Sequence, residues 1–270
     1  MDFSLVILDT ETATLAGAPH LLELGAIRVR GGEVIERFES LVRPEVPIAP
    51  EATEFHGIDE AMVADAQPAA AVLERFSAFA GDDPLVAHNV DFDARVLAFE
   101  YARAQLAPPS GWLIDTLALS RRLIPDSPDH KLATLCEHLG LEEGVHHRAL
   151  ADAVWCWQVL EACAARMSPP PEAAAALVRA VGRPATLSGA APRVRALLKP
   201  RHRPLERACR EREAVTLVYG DGESQPVPLS VRPRVLYDLG EKSYLEAECL
   251  RSGTIKTYRL DRVHQVRATP

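Results

Sequence analysis

Two acidic residues stand one position apart at the end of an apolar run near the start of the chain. In the segment LVILDTETAT, residues 5–14, Asp9 and Glu11 follow four consecutive apolar side chains. Alternate side chains of a β-strand point to the same face, so a strand here would bring the two carboxylates together. Burying two like charges costs stability unless a cation neutralises them. The pair is therefore a candidate ligand set for Mg²⁺ or Mn²⁺, although a strand that ends in a solvated loop is the plain alternative.

A second segment places polar residues between an apolar run and a helical pattern. In AHNVDFD, residues 87–93, His88 and Asn89 follow a short predicted strand and Asp93 opens a predicted helix. An acid at a helix start is also favourable through capping and the helix dipole, so this segment alone does not establish a site.

A third segment, HHRALADA at residues 146–153, pairs His147 with Asp152. Residues five apart on one helix do not share a face, because an α-helix has ~3.6 residues per turn. The two side chains can meet at one site only if the histidine lies in the loop before the helix. The alternative is a surface histidine and an unrelated acid on the helix surface.

Together, these segments predict a carboxylate-rich metal site. The five cysteines of the chain are scattered without a CxxC pair, which argues against zinc and favours Mg²⁺ or Mn²⁺. Two such cations can clamp the attacking and leaving oxygens of a phosphodiester. A neighbouring histidine could take the proton from the attacking water, since its pKa lies near neutrality.

The acids depend on alternating strands and helices for their positions. Residues 3–9 predict a strand buried on both faces, and residues 25–42 predict a hairpin that turns at Gly31-Gly32. Later segments alternate between short apolar runs and helical periodicity, which predicts an α/β fold with a mixed sheet flanked by helices. The later predicted strands cover 84–88 and 112–116, and the predicted helices cover 68–80, 92–106, 131–140 and 148–167.

The net charge of −8 is spread unevenly over the 270 residues. Residues 199–270 hold 14 basic and 10 acidic residues, which leaves 16 basic and 28 acidic ones in residues 1–198. An acidic body repels phosphates unless cations neutralise it locally. No apolar stretch approaches the ~20 residues of a membrane helix and the N-terminus shows no secretory signal, so we expect a cytoplasmic protein with no membrane partner.

The order and spacing of DTET, HNVDFD and HRALAD resemble the three exonuclease motifs of the DEDDh family, which includes the proofreading subunit of bacterial DNA polymerase III. The resemblance covers roughly residues 3–165 and includes EFHGI at residues 54–58. It implies an RNase H-like fold and 3′→5′ hydrolysis that releases nucleoside 5′-monophosphates. We expect single-stranded 3′ ends as the substrate, because a terminal nucleotide must reach both cations, and we favour DNA. The related subfamily has a tyrosine where this chain has Arg148, so the histidine class fits better.

Matching by position assigns roles that the resemblance implies. Asp9 would be shared between two divalent cations, and His147 would be the general base. The implied metal ligands are Asp9, Glu11, Asp93 and Asp152. The implied substrate-binding positions are Thr12, His56, His88, Asn89 and Phe92.

The C-terminal segment resembles a WYL domain, a small SH3-like β-barrel. YRLDRV at residues 258–263 matches the terminal signature of that family, whereas its eponymous triplet is Ser243-Tyr244-Leu245 and lacks the tryptophan. The resemblance implies binding of nucleic acid, a regulatory ligand or a protein partner. A basic face for phosphates is one expectation, and ion pairs of Arg259 and Arg262 with nearby acids are the alternative. The residues of the expected basic face are Arg232, Arg234, Arg259 and Arg262.

We therefore predict an exonuclease domain at residues 1–167, a Pro/Ala-rich linker at 168–200 and a WYL-like β-barrel at 201–270. The alternative to a metal-dependent exonuclease is a regulatory protein that binds a ligand or nucleic acid through the WYL-like domain. The choice between DNA and RNA as the substrate stays open at this point, as does the oligomeric state. Repair or general processing is favoured over proofreading, because the linker and barrel do not resemble a polymerase-docking tail.

Overall fold

The structure is a computed structural model, and the residues it describes are 1–15, 17–141, 148–182, 184–194, 196–220 and 225–268. The chain divides into two compact units, residues 1–191 and 192–270. In the ranges described, we find no helix with the length and apolar character needed to cross a membrane.

The first unit is built on a six-stranded mixed sheet. Its strands are β1 (Leu5–Thr12), β2 (Leu21–Arg30), β3 (Glu33–Arg43), β4 (Gln67–Pro68), β5 (Leu85–Ala87) and β6 (Leu113–Asp115). They lie in the order β4-β3-β2-β1-β5-β6. β1 and β2 pair antiparallel, as do β2 and β3, whereas β1, β5 and β6 run parallel to one another. The mixed sheet predicted from the sequence is confirmed.

The predicted hairpin forms across Gly31 and Gly32, which both adopt positive φ angles. Glycine reaches this left-handed region without steric cost, and two such residues form the tight turn that matches the twist of paired strands.

Helices cover both faces of the sheet. They are α1 (Pro50–His56), α2 (Glu60–Val63), α3 (Ala69–Ala80), α4 (Val90–Ala104), α5 (Thr116–Leu123), α6 (Leu132–His138), α7 (Ala149–Ala165) and α8 (Ala174–Val181). The predicted helices α3, α4, α6 and α7 begin and end within a few residues of their predicted bounds. Helices α1, α2 and α5 have 7, 4 and 8 residues and were not predicted, because helices this short show little periodicity.

Alternation along β1 separates two apolar cores. Val6 and Leu8 pack into one core with residues of α3 and α4. Leu5 and Ile7 pack into the other with residues of α5 and α7. Because side chains alternate, the odd-numbered positions that follow on β1 face α7 and the even-numbered ones face α4.

Part of the predicted linker belongs to the first unit. Helix α8 forms within the stretch 168–200, and its Leu177 and Val178 are buried in the same core as α7. The apolar face of this helix explains its docking, since a short helix gains most of its stability from packing. The chain divides after residue 191, and the proposed bounds 1–167, 168–200 and 201–270 stay a prediction.

Within its described residues, the second unit holds a five-stranded antiparallel sheet and the α-helix α9 (Pro204–Glu211). Its strands are β7 (Val215–Tyr219), β8 (Val227–Leu239), β9 (Lys242–Cys249), β10 (Thr254–Arg259) and β11 (Val263–Ala268). The core includes Leu205 of α9 together with Leu217, Val231 and Leu245 of the sheet. In residues 196–220 and 225–268 the strand order is β10-β9-β8-β7-β11, with β10 and β11 at the edges. Closure into an SH3-like barrel is not seen in this pairing and stays a prediction.

Candidate active site

Three predicted acids meet at the end of β1. Asp9 and Glu11 share the face of the strand that α7 covers, and Asp152 lies on the first turn of α7. One carboxylate oxygen from each of the three lies within 4.8 Å of the others. Glu11 is buried, whereas Asp9 and Asp152 are partly exposed. This spacing lets the three side chains coordinate one cation.

Asp93 reaches the same strand from the opposite face. It is buried on the first turn of α4, outside the group of three acids, and its Oδ1 accepts a 2.7 Å hydrogen bond from Thr10 Oγ1. Thr10 lies between Asp9 and Glu11, so the strand that carries these two acids also fixes Asp93. Sequence reasoning missed Thr10, whose only signal was its position between the two acids.

A carboxylate outside the predicted set shapes the start of α4. Asn89 adopts a left-handed conformation with φ of 65°, and its backbone N–H donates to Asp115 Oδ1 at 2.9 Å. The same oxygen accepts from Leu117 N at 3.0 Å and so caps α5. Asp115 therefore fixes the turn that leads from β5 into α4 and Asp93.

Burial and mutual repulsion raise the pKa values of the clustered acids. Burial, followed by the Asp152 and Glu23 carboxylates, raises the pKa of Glu11 to about 8. Burial raises the pKa of Asp93 to about 7. Burial, followed by Asp93 and Asp152, raises the pKa of Asp9 well above its ordinary value. Without a cation, the four acids cannot all be ionised cheaply near neutral pH.

The donor chemistry of this cluster fits a divalent cation. Its ligand atoms are carboxylate oxygens, which hard cations prefer, and the three closest acids contribute neither sulfur nor imidazole. A divalent cation would also compensate the repulsion that raises these pKa values.

The predicted histidines His56 and His88 are fixed by protein groups. His56 Nδ1 accepts from Ile58 N at 3.0 Å, and its Nε2 lies 3.3 Å from the carbonyl oxygen of Thr12. His88 Nε2 donates to the carbonyl of His130 at 2.7 Å, and burial lowers the pKa of His88. Both rings are therefore held in place beside the acids.

A cavity of about 840 Å³ opens over the acids. It is bounded by all five predicted substrate-binding residues, Thr12, His56, His88, Asn89 and Phe92. Three large apolar side chains on its wall are exposed, Leu15, Phe55 and Phe92. Sequence reasoning missed Leu15 and Phe55, although Phe55 stands within the EFHGI segment. His147, the predicted general base, lies outside the described residues.

Arg232 and Arg259 of the second unit form ion pairs. Arg259 Nη2 lies 2.5 Å from Asp261 Oδ2, as the alternative reading expected. Arg232 Nη1 lies 2.6 Å from Glu248 Oε2, its cross-strand neighbour. A phosphate-binding face that includes Arg234 and Arg262 stays a prediction.

Comparison with known proteins supports the family resemblance. Residues 6–160 match the family described as Exonuclease, and residues 200–268 match the WYL domain. The PolC-type DNA polymerase III of Oceanobacillus iheyensis is 40% identical over 149 residues, which are 55% of this chain and 10% of the polymerase. The matched part of this chain therefore spans only about a tenth of the length of that relative.

Solved structures share the fold of the first unit. Exonuclease X, in complex with 5′ overhanging duplex DNA, is 30% identical with a TM-score of 0.53, and the match covers 66% of this chain and 99% of that one. The nuclease domain of 3′hExo, a DEDDh family member bound to rAMP, is 18% identical with a TM-score of 0.52, and the match covers 58% of this chain and 89% of that one. The latter shows the fold alone. By family match and fold, the chain belongs to the family described as Exonuclease over residues 6–160 and carries a WYL domain at residues 200–268.

Proposed function

We propose that this chain is a metal-dependent 3′→5′ exonuclease. It hydrolyses phosphodiester bonds at the 3′ end of single-stranded nucleic acid and releases nucleoside 5′-monophosphates. One observation carries the proposal: the carboxylates of Asp9, Glu11 and Asp152 lie within 4.8 Å of one another beside a cavity, in a chain of the exonuclease family.

The residues of the cluster have distinct proposed tasks. Asp9, Glu11, Asp93 and Asp152 hold two divalent cations, Mg²⁺ or Mn²⁺, with Asp9 shared between them. When bound, such cations activate a water molecule and stabilise the leaving oxygen. His147 takes the proton of the attacking water, a role that rests on the HRALAD motif. Thr10 and Asp115 keep Asp93 and its helix in place through the hydrogen bonds described above.

The cavity wall supports recognition of an unpaired terminal nucleotide. Leu15, Phe55 and Phe92 expose apolar surface near the acids, and aromatic rings stack on any base. The rings of His56 and His88, which are held by hydrogen bonds, help to define the shape of the wall, and Thr12 and Asn89 also bound the cavity. A stacked terminal base would place the scissile phosphate beside the carboxylates.

DNA is the proposed substrate. The relative with the highest identity given above is a DNA polymerase, and Exonuclease X was solved with duplex DNA. Repair or general processing is the proposed setting, since a WYL domain follows the exonuclease domain in this chain.

A second candidate function belongs to the C-terminal unit. The WYL match over residues 200–268 favours binding of nucleic acid or a regulatory ligand there. The ion pairs of Arg232 and Arg259 reduce the positive charge available to phosphates. A regulatory ligand or protein partner is therefore the better proposal for this unit than a phosphate backbone.

A degradation assay tests the main proposal. A single-stranded DNA oligonucleotide labelled at its 5′ end should shorten stepwise with Mg²⁺ or Mn²⁺ and stay intact with EDTA. Matched RNA and duplex DNA test the substrate preference. Asp93→Asn should abolish shortening, whereas Asp91→Asn, an exposed acid on the same turn of α4, should retain it. Equal activity of these two variants would contradict the assignment.

A further inference from the structure

A fifth carboxylate lies beside the acid cluster without belonging to it. Glu23 on β2 is 0% exposed and is the cross-strand partner of Glu11 in the antiparallel pair of β1 and β2. Directly paired residues of neighbouring strands project on the same face, so the two carboxylates are neighbours. A fully buried carboxylate is costly unless it is paired and hydrogen-bonded. The partners of Glu23 therefore determine whether its burial destabilises the fold.

Both oxygens of Glu23 are bound at the start of α7. Arg148 donates from Nη2 to Oε1 at 2.6 Å, and from Nε to Oε1 and Oε2 at 3.0 and 3.2 Å. The backbone N–H of Ala149 donates to Oε2 at 2.9 Å. Glu23 thus accepts from both the residue that precedes α7 and the first residue of α7. Arg148 also lies 3.8 Å from Glu39 Oε1 on β3.

Gly25 allows the helix to come this close. It is the cross-strand partner of Asp9, and a Cβ atom built on it would lie 2.1 Å from Leu150 N and 2.3 Å from the carbonyl carbon of Ala149. Both atoms belong to the backbone of α7, so no side-chain movement could relieve the contact. The helix start therefore rests directly on the strand beside Asp9 and Glu11.

We propose that Glu23 and Arg148 are positioning residues for the metal site. Their ion pair fixes the first turn of α7 on β2 and so sets the position of Asp152, three residues beyond Ala149, against Asp9 and Glu11. By occupying both oxygens of Glu23, Arg148 also keeps this fifth carboxylate from coordinating a cation. The inference rests on the proposed function, because it deepens the description of the same site.

A merely structural ion pair makes different predictions. It would change the stability of the metal-free protein and leave metal affinity and turnover unchanged. A positioning pair acts on the ligand geometry, so its loss should weaken Mn²⁺ binding even without substrate. It should also lower kcat while the KM for the oligonucleotide stays the same, since neither residue bounds the cavity.

The test uses the full chain with Glu23→Gln, Arg148→Gln, the double variant and Arg148→Lys. Mn²⁺ affinity is measured by calorimetry without substrate, and kcat and KM on a single-stranded DNA oligonucleotide. We expect Glu23→Gln to weaken Mn²⁺ binding and lower kcat by about 10- to 100-fold, the range for residues that orient metal ligands. Arg148→Lys keeps the positive charge but loses the paired N–H donors of the guanidinium. Its Mn²⁺ affinity and kcat should therefore fall less than those of Arg148→Gln.

The control variant is Glu36→Gln, which removes the ion pair with Arg28 on the same sheet, between β2 and β3. It should leave Mn²⁺ affinity and kcat unchanged. Because Glu23 and Arg148 act as one unit, the double variant should lose no more Mn²⁺ affinity or kcat than Arg148→Gln alone. If Glu23→Gln does not fold, Arg148→Lys and Arg148→Gln carry the comparison.

The outcomes separate this inference from the proposed function. Mn²⁺ affinity and kcat within about twofold of wild type in folded Glu23→Gln or Arg148→Gln would overturn the positioning role, given the expected range. A wild-type protein that binds Mn²⁺ but degrades no oligonucleotide would overturn the proposed function and leave the calorimetric test of the ion pair intact.

Discussion

The hydroxyl of Thr10 donates a 2.7 Å hydrogen bond to Oδ1 of Asp93. Thr10 lies between Asp9 and Glu11 on β1, but its side chain leaves the opposite face of the strand. It therefore meets α4, whereas the two acids face α7. A single tripeptide thus presents two carboxylates on one face and holds Asp93 from the other.

Removing this hydroxyl should weaken the site without removing any acid. Thr10→Val keeps the shape of the side chain but leaves the buried Asp93 carboxylate without this donor, at a cost of about 1–3 kcal/mol. The hydrogen bond also lowers the pKa of Asp93, so its loss favours the protonated acid. We expect Mn²⁺ affinity to fall by about tenfold in calorimetry, in the range seen when a group that orients a ligand is lost.

Thr10→Ser is the matched control, because it keeps a hydroxyl at the same position. It should retain most of the Mn²⁺ affinity and nuclease activity of the wild type. Equal affinity of the valine and serine variants would show that the hydrogen bond is dispensable.

The raised pKa values make the metal-free protein sensitive to pH. The pKa of Glu11 is raised from 4.5 to about 8 and that of Asp93 from 3.8 to about 7. The folded state therefore binds more protons than the unfolded state between these limits, and the free energy of unfolding falls as pH rises through the window. We expect a lower Tm at pH 8 than at pH 5.5 in EDTA, measured by differential scanning calorimetry.

Added Mg²⁺ should raise the Tm more at pH 8 than at pH 5.5, since protons compete with the cation for the carboxylates. Glu11→Gln should flatten the decline of Tm with pH, because it removes the carboxyl group whose pKa is raised to about 8. A metal-free wild type whose Tm does not fall between pH 5.5 and pH 8 would contradict the electrostatic account.

The contact between Gly25 and α7 makes a sharp stability prediction. In Gly25→Ala the new Cβ would lie 2.1 Å from Leu150 N, so the helix start must move or the strand must bend. Overpacking of this kind costs about 1–3 kcal/mol or more, measured as the free energy of unfolding in urea. Displacement of α7 should also reduce Mn²⁺ affinity through Asp152.

Gly189→Ala provides the control in the same unit. The nearest atom to its added Cβ is Thr186 Oγ1 at 3.6 Å, an ordinary van der Waals distance. Its free energy of unfolding should stay close to that of the wild type. A Gly25→Ala protein as stable as Gly189→Ala would mean that β2 and α7 are not in the tight contact described.

The limits of sequence reasoning at this site follow from distance along the chain. Asp9, Glu11 and the hairpin at Gly31-Gly32 were predictable because their signals are local: alternate spacing, an apolar run and a turn sequence. Glu23 and Ala149 are 126 residues apart, and their hydrogen bond depends on a register that no local pattern reveals. Thr10 was missed for a related reason, since only the packing of α4 on β1 gives its hydroxyl a partner.

Short elements show the same limit. Helix α5 is eight residues long and begins where Asp115 accepts from Leu117 N. An acid that ends a short apolar run is a common pattern, so the capping role of Asp115 became visible only beside the left-handed turn at Asn89.

Phe92 should affect substrate binding rather than metal binding. Its ring is 46% exposed on the cavity wall, one residue before Asp93. A base stacked on an aromatic ring gains about 1–3 kcal/mol, so Phe92→Ala should raise the KM for single-stranded DNA by roughly 5- to 150-fold. Mn²⁺ affinity should not change, because the ring supplies no ligand atom. Steady-state kinetics and calorimetry on the same preparation separate the two effects.

Trp112→Ala is the control for loss of an exposed aromatic ring. Trp112 is 45% exposed, which is close to the exposed fraction of Phe92. It does not bound the cavity. Its KM should therefore stay at the wild-type value. A rise in KM for both variants would point to a general loss of stability, and a rise for neither would exclude base stacking on Phe92 as a source of affinity.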